Sequence, residues 1–558
     1  MASLNPVTGQ LGEKRAAHLL RRATWGPTIS SIKTFASLTA DQALTNLFTE
    51  PPVPDPPVDL LTGESWVNPP AHPKATLSNS EQSVLFSYFQ SWHLEQIRKS
   101  GDNLKERVTY FLHSHLPVAS SVVGSSEAIY YQNALYRYYA FGNFKALFKK
   151  ICLDNAMLRY ISGESNDKDS PNENFAREMF ELYSIGRGLQ IADGNYTNYT
   201  ENDIKAACRV LTGWQFDETF TNYDTDTQLP AGKLQTELSN DQVPVEIATR
   251  HDPDAKTFSA AFQNQTIAPF EHSGDLATKA AALKEFDDLI EMIFTQQETA
   301  RFIVRKLYRF FMYYKIEADI ENDIIGPLAD TFRNSGYELK PILEQLFKSE
   351  HFFDVDNAVT TDDNIGAIIK SPLEIIFGSL RFFQLEMPAS LTNLYNKSYI
   401  GGILGFISNQ GLDFYEPLDV AGYPPYHQEP SFNRDWITPT NLAYRYNFSF
   451  ALLGNKAEAT DYGFKLDMVN WVKNSGNIAD PSDAAALVQT LTQYMFAVEL
   501  NAERSNYFLN DVFLENLPLT TWQYEWSAYL SSNDPTVVKE RLETLVSAII
   551  QTPEYQLF

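Results

Sequence analysis

Apolar residues recur three and four places apart along most of this chain, the spacing that lines them up on one face of an α-helix. Residues 12–23 carry that pattern and close near Gly26 and Pro27, and similar stretches follow as far as Phe48. Long helical patterns run from about residue 80 to 160, through LKERVTYFLHSH and NALYRYYAFGNFKALFKKICLDNAMLRYI, each broken by turn signals. They return over 277–353, over 364–384, and through roughly the last hundred residues. Three stretches lack the period. Residues 51–78 hold Pro51, Pro52, Pro54, Pro56, Pro57, Pro69, Pro70 and Pro73, which neither a helix interior nor a central strand accommodates, so an extended connector is expected. Residues 215–275 are rich in Thr, Asp, Asn and Gln and too long for an ordinary connection; this leaves a functional loop, a small β insertion or a lid, the last two preferred. Residues 401–436 are dense in Gly, Pro and aromatic rings, as in an ordered loop packed through its own side chains. The expected fold is all-α. One large multi-helical body, 1–558, is divided into N-terminal helices (1–50), the connector (51–78), two core segments (79–214 and 276–400) flanking the polar insertion (215–275), the aromatic loop (401–436) and C-terminal helices (437–558).

Start and stop signals are clearest over 170–214. Ser170, Pro171 and Glu173 read as an N-cap, a proline at the first helical position and a capping acid, and Gly186 as the stop. Phe175, Met179 and Leu182 then form an apolar stripe, while Glu173, Arg177 and Glu181 fall four apart and can pair. A second capping box, Thr200 with Asp203, opens a helix through Ile204, Ala207, Cys208 and Leu211 that Gly213 ends. A helical hairpin with many polar groups is expected.

Composition narrows the function classes. Across 558 residues there are 37 Phe, 29 Tyr and 8 Trp, enough aromatic area for a sizeable core, and no sign of general disorder. The formal charge of −26 repels phosphate backbones and anionic membranes, which excludes a nucleic-acid role. Cys152 and Cys208 both fall in apolar helical patterns and read as buried free thiols rather than a disulfide or thiolate cluster. No apolar run approaches the roughly 20 residues that span a bilayer, and the first residues lack the basic-then-apolar plan of a signal peptide. These features fit a cytoplasmic protein, a chain whose leader has been removed, or one exported together with a signal-bearing partner. No repeat of fixed period occurs.

Four constellations could carry chemistry. His113 and His115 could share a metal on an extended backbone, but on a helix they diverge by about 200°, and Val108, Phe111 and His115 favour a helix that Pro117 ends. Core or capping histidines are the alternative. Asn174 and Glu178 lie four apart beside an apolar stripe, with Arg177 between them; they form either a buried polar network or a general acid, base or metal-binding carboxylate. Arg301, Arg305 and Arg309 make a stripe that either pairs with surplus carboxylates or binds an anion, chiefly through Arg301 and Arg305. Arg250, His251 and Asp252, with Lys256, offer a weak acid–base candidate, since neighbouring residues seldom face each other. Phosphate loops, dinucleotide fingerprints, Gly-x-Ser-x-Gly, His-Glu-x-x-His and Cys-x-x-Cys are absent, and no cofactor is indicated.

SPNENFAREMFELYSIGRG and YTENDIKAACRVLTGW, with AAHLLRRATWGPT, RHDPDAKTF, ARFIVRKLYRFF and the closing TPEYQLF, resemble the large bacterial family known as domain of unknown function 1800. The resemblance covers nearly the whole chain. It carries a His-x-His pattern onto His113 and His115, and departs at Gly422-Tyr423, where the family usually has Gly-Trp. It also implies a partner: members are commonly encoded beside the domain of unknown function 1501 family, which resembles sulfatase and phosphatase-like folds and often carries an export signal. Two functions are therefore expected. One is a binding or assembly protein acting with that exported partner through the loop bearing Phe414, Tyr415, Tyr423, Tyr426, Phe432 and Trp436. The other is a metal-dependent or acid–base hydrolase joining His113 or His115 to Asn174, Arg177 and Glu178, with those polar groups in side-chain contact.

Overall fold

In the computed structural model, helices dominate residues 2–67, 79–240, 243–358, 363–454 and 461–558, the residues it describes. Pro69, Pro70 and Pro73 of the expected connector lie outside the described residues; residues 51–59 carry neither helix nor strand. The body is mostly helical rather than strictly all-α. The polar insertion takes the β option among those open to it: four two-stranded antiparallel ribbons lie within 214–277, including Thr236–Leu238 paired with Glu246–Ala248. A fifth ribbon joins Gln190–Ala192 to Asn195–Tyr196.

The first long helix, Gly12–Ala23, buries Ala16, Leu19, Leu20 and Ala23, as its spacing requires, and its C-cap Thr24 N–H donates to the Leu20 carbonyl. Its buried face joins an apolar core continuous from Leu11 to Tyr555. The charged residue at its end, Arg22, is fully buried. Pro372–Phe382 begins at a capping box in which Glu374 accepts from the Ser371 N–H. The other oxygen of Glu374 pairs with Arg107 of the helix Lys105–His115. Arg107 in turn lies over the rings of Trp25 at 4.7 Å and Phe310 at 5.0 Å.

Near residue 174 the sequence signals err by a few residues. The helix starts at Asn174, not after Ser170, because the Asn172 side chain accepts the Asn174 N–H at 3.0 Å and Ser170 bridges to Asp167 instead. It runs as an α-turn, Asn174–Glu178, and then a π-helical turn, Met179–Ser184. Gly186 does stop it, at φ +71°; a Cβ there would stand 2.6 Å from the Phe302 ring. The second box is present, with the Thr200 N–H donating to Asp203 at 2.7 Å ahead of the helix Glu201–Val210.

The insertion is tied to this framework by polar side chains. Asp203 also accepts the Ser259 N–H at 2.6 Å and its hydroxyl at 2.7 Å. Lys256, fully buried, pairs with Glu285 of the helix Lys279–Thr295, whose other oxygen lies 3.3 Å from His251 Nε2. Asp252 does not orient His251; it takes a two-point contact from Arg209 at 2.6 and 2.9 Å. The adjacent His and Asp thus serve two different anchors. Glu285→Ala leaves Lys256 buried without its counter-charge and is expected to destabilise the protein by about 3–5 kcal/mol. Limited proteolysis within 215–275 should accelerate before global melting; an unchanged cleavage rate and melting midpoint would refute this anchoring.

Candidate functional site

The helix Lys105–His115 turns its two histidines apart. The His113 ring packs 4.1 Å from that of Tyr415, with Nε2 3.4 Å from the Tyr423 hydroxyl, whereas His115 Nε2 lies 3.2 Å from the Tyr183 carbonyl. Pointing to separate neighbours, they cannot share one ion. Burial lowers both to about 3, so both rings are neutral at ordinary pH. Among the described residues no three His, Cys, Asp or Glu side chains converge as a metal-ligand set.

Above this helix end sits the aromatic loop. Gly422 has φ +104°, and a Cβ on it would stand 2.8 Å from the Ser114 carbonyl, so the loop backbone rests directly on the histidine helix. Phe414, Tyr415, Tyr423, Phe432 and Trp436 are all buried, so the loop packs inward and these rings are not an exposed contact surface. Tyr423 explains its own departure from tryptophan. Its hydroxyl accepts the Tyr415 N–H at 2.9 Å, a role an indole N–H cannot fill.

The Asn174 amide donates to the Ile161 carbonyl at 3.2 Å. Arg177 makes a two-point contact with Glu201 at 2.7 and 2.8 Å and reaches Glu173 at 3.4 Å. Glu181 pairs with Arg187 rather than with Arg177 and accepts the Tyr199 hydroxyl at 3.1 Å. Arg305 is held by Glu298 and, at 2.8 and 2.7 Å, by Glu321; Arg301 lies 3.7 Å from Glu321 and Arg309 3.2 Å from Glu429. An external anion at Arg301 and Arg305 would have to displace these carboxylates.

Glu178 differs from its neighbours in having no hydrogen bond or ion pair among the described residues. Burial raises its pKa, Arg177 and Arg187 oppose the rise, and the charge of Asp419 adds to it. Asp419 belongs to the aromatic loop, held where the Tyr160 hydroxyl donates to its carbonyl at 3.2 Å and the Tyr183 hydroxyl to that of Val420 at 2.9 Å. The Asp419 carboxylate stands 3.5 Å from His427 Nε2, a buried nitrogen with no hydrogen-bond partner. Burial lowers the pKa of His427, Asp419 opposes, and Lys306 lowers it again.

Lys306 completes the group. It lies on Gln297–Phe311, one residue beyond Arg305; among the described residues it makes no hydrogen bond or ion pair, and its amine stands over the Phe302 ring at 5.4 Å. Burial, reinforced by Arg309, lowers it to about 8 against the pull of Glu429 and Asp419. Three segments therefore bring Glu178, Lys306, Asp419 and His427 within electrostatic reach, above His115, which also feels Lys306. Of the residues singled out in the sequence only Glu178 and His115 belong here. Lys306, Asp419 and His427 were missed; a lysine just off an arginine stripe and an Asp-to-His spacing inside an aromatic loop were the available signals.

These features describe a mostly helical protein in which an irregular loop caps three helices and gathers Glu178, Lys306, Asp419 and His427. Residues 18–557 match the family described as Protein of unknown function (DUF1800), and the chain belongs to that family. No curated protein and no solved structure gives a match. Among the described residues no helix is long and apolar enough to cross a membrane.

At pH 8 an amine with a pKa near 8 is half neutral, against less than about 1% for an ordinary lysine. Lys306 is expected to be acetylated at least about tenfold faster than the chain's exposed lysines, read by peptide mass spectrometry across pH 6–10. Labelling no faster than theirs at pH 8 would remove Lys306 from the site.

Proposed function

We propose that the chain is a hydrolase-type acid–base enzyme whose site is the cluster of Glu178, Lys306, Asp419 and His427. The observation that carries this reading is one place where Glu178 and Lys306 make no hydrogen bond or ion pair among the described residues and His427 Nε2, 3.5 Å from Asp419, is buried without a hydrogen-bond partner. A buried nitrogen left so costs stability, and charged groups gathered beside it with perturbed proton affinities are the usual company of a reactive site. His427 takes the proton of the attacking water, and Asp419, 3.5 Å from Nε2, supports the imidazolium that forms. The Lys306 ammonium stabilises the developing oxyanion. Glu178, whose pKa burial raises against the pull of Arg177 and Arg187, delivers its proton to the leaving group.

The sign of the pH dependence follows. Lys306 works as a cation, so activity is lost as pH rises through about 8, and the lower limb is set by deprotonation of His427 below its ordinary value. A panel of fluorogenic esters, phosphodiesters, glycosides and peptides should yield one turned-over class. Lys306→Arg should move the alkaline limb upward, and His427→Gln should lower kcat by about 10²-fold or more. Turnover of every class that is unaltered in His427→Gln would refute the assignment.

A second reading, assembly with an exported member of the domain of unknown function 1501 family, is favoured by exposed apolar side chains beside this site. Leu189 precedes and Ile191 lies within the strand Gln190–Ala192, at 78% and 66% exposure, and Leu418, next to Asp419, stands at 78%. Tyr423→Ala with Tyr426→Ala would test folding rather than contact, since Tyr423 is buried and Tyr426 packs against the core. Leu189→Ser with Ile191→Ser keeps the fold and should weaken co-purification with the partner at least tenfold. Undiminished capture would move the contact elsewhere, and absence of any complex at micromolar concentration would end this reading.

A further inference from the structure

Away from that cluster, the interior holds more positive charge than its carboxylates answer. Arg22, Arg107 and Arg445 are each at most 1% exposed, and Lys370 is buried beside them. They come from four separate stretches of chain, yet Glu374 is the one carboxylate whose charge acts on Arg445 and Lys370, and it shares Arg22 with Asp354. Hydrogen bonds do not make up the difference. Arg107 gives one nitrogen to Glu374 and another, at 3.3 Å, to the Arg22 carbonyl, and its Nη1 has no partner. Arg22 uses a single nitrogen on the Asn364 carbonyl, leaving Nε and Nη1 bare. Arg445 donates from Nη1 to the Lys370 carbonyl at 2.9 Å and to Gln556 at 3.2 Å, leaving Nε and Nη2 bare. Fully buried guanidinium N–H groups without acceptors are rare, and in native proteins they mark an ordered water or an ion.

Space exists beside them. Arg107 and Glu374 line an enclosed cavity of about 20 Å³, closed by Phe310, Tyr426, Trp436 and Phe558. That volume admits one water-sized or halide-sized particle and nothing as large as a sugar or a nucleotide. A water there would satisfy donors but leave the surplus charge. A monovalent anion would satisfy both, and a guanidinium N–H offers the charge-assisted geometry anions prefer.

We infer that this cavity is a binding site for a small monovalent anion of the chloride type, held by Arg107 with Arg309 on its wall and adding negative charge at the edge of the buried arginine group. The anion is structural: it sits between the histidine helix, the helix Gln297–Phe311 and the capped helix Pro372–Phe382, and joins them. Its presence would make an acidic protein depend on an anion for the integrity of its core.

The test uses the unaltered protein. Thermal unfolding at fixed ionic strength is compared in sodium chloride, sodium bromide and sodium gluconate, whose anion is too large for the cavity. The midpoint should be higher by roughly 2–4 °C in either halide, with a saturable dependence on halide concentration. Crystals grown in bromide should show an anomalous peak in contact with Arg107 inside this cavity, and Arg107→Gln, if it folds, should lose the halide dependence. Absence of the bromide peak overturns the inference whatever the melting curves show, and a peak without any halide-specific shift overturns the structural role.

Discussion

The fold depends on a single buried carboxylate. Glu374 caps its own helix through the Ser371 N–H and pairs with Arg107, and its charge reaches Arg22, Lys370 and Arg445. Sequence positions more than 400 apart, from Arg22 to Arg445, meet around it. Burying several cations with one anion is costly, and the cost is contained by stacking: Arg107 against Trp25 and Phe310, Arg22 against Phe558 at 4.6 Å. Aromatic abundance in this chain is thus partly a means of holding guanidinium groups inside.

A second polar network works the same way beneath the aromatic loop. The Tyr415 hydroxyl lies 3.0 Å from His93 Nδ1 and accepts from Asn133 at 2.9 Å, and Arg137 joins that asparagine to Glu106. Hydrogen bonds of this kind fix direction as well as distance, so they set where the loop backbone runs over the end of the histidine helix. Gly422 then permits the close approach, and Asp419 and His427 are delivered to the edge of the loop. The irregular segment is positioned by buried polar chemistry, although its composition reads as a mere aromatic coil.

Local signals in the sequence therefore reached some features and not others. The 3.6-residue period located the helices, and Thr200 with Asp203 located a start, because these depend on neighbours within one turn. Ser170 misled, since Asn172 offered the backbone a nearer acceptor. The polar insertion was legible as an interruption, but not the pairing of Lys256 with Glu285 that secures it, which spans 29 residues. For the site, His115 and Glu178 were visible as polar residues on apolar faces. Lys306, Asp419 and His427 were not, because their significance lies in missing partners, and a missing partner can be seen only once the chain is folded.

Helix Gln297–Phe311 sets one base apart from the carboxylate pairing of its neighbours. It presents four basic side chains toward carboxylates and loops, and three of them, Arg301, Arg305 and Arg309, meet Glu321, Glu298 or Glu429. In a chain with 70 acidic residues against 44 basic ones, finding a counter-charge is easy, so an unpaired lysine is not explained by scarcity. Its position explains it. One residue beyond Arg305, Lys306 turns off the arginine face by about 100° toward His115 and the Asp419 loop. There Glu429 and Asp419 are near enough to be felt and too far to bond. Burial then lowers its proton affinity, and the Phe302 ring 5.4 Å away takes the place of a carboxylate beneath the amine.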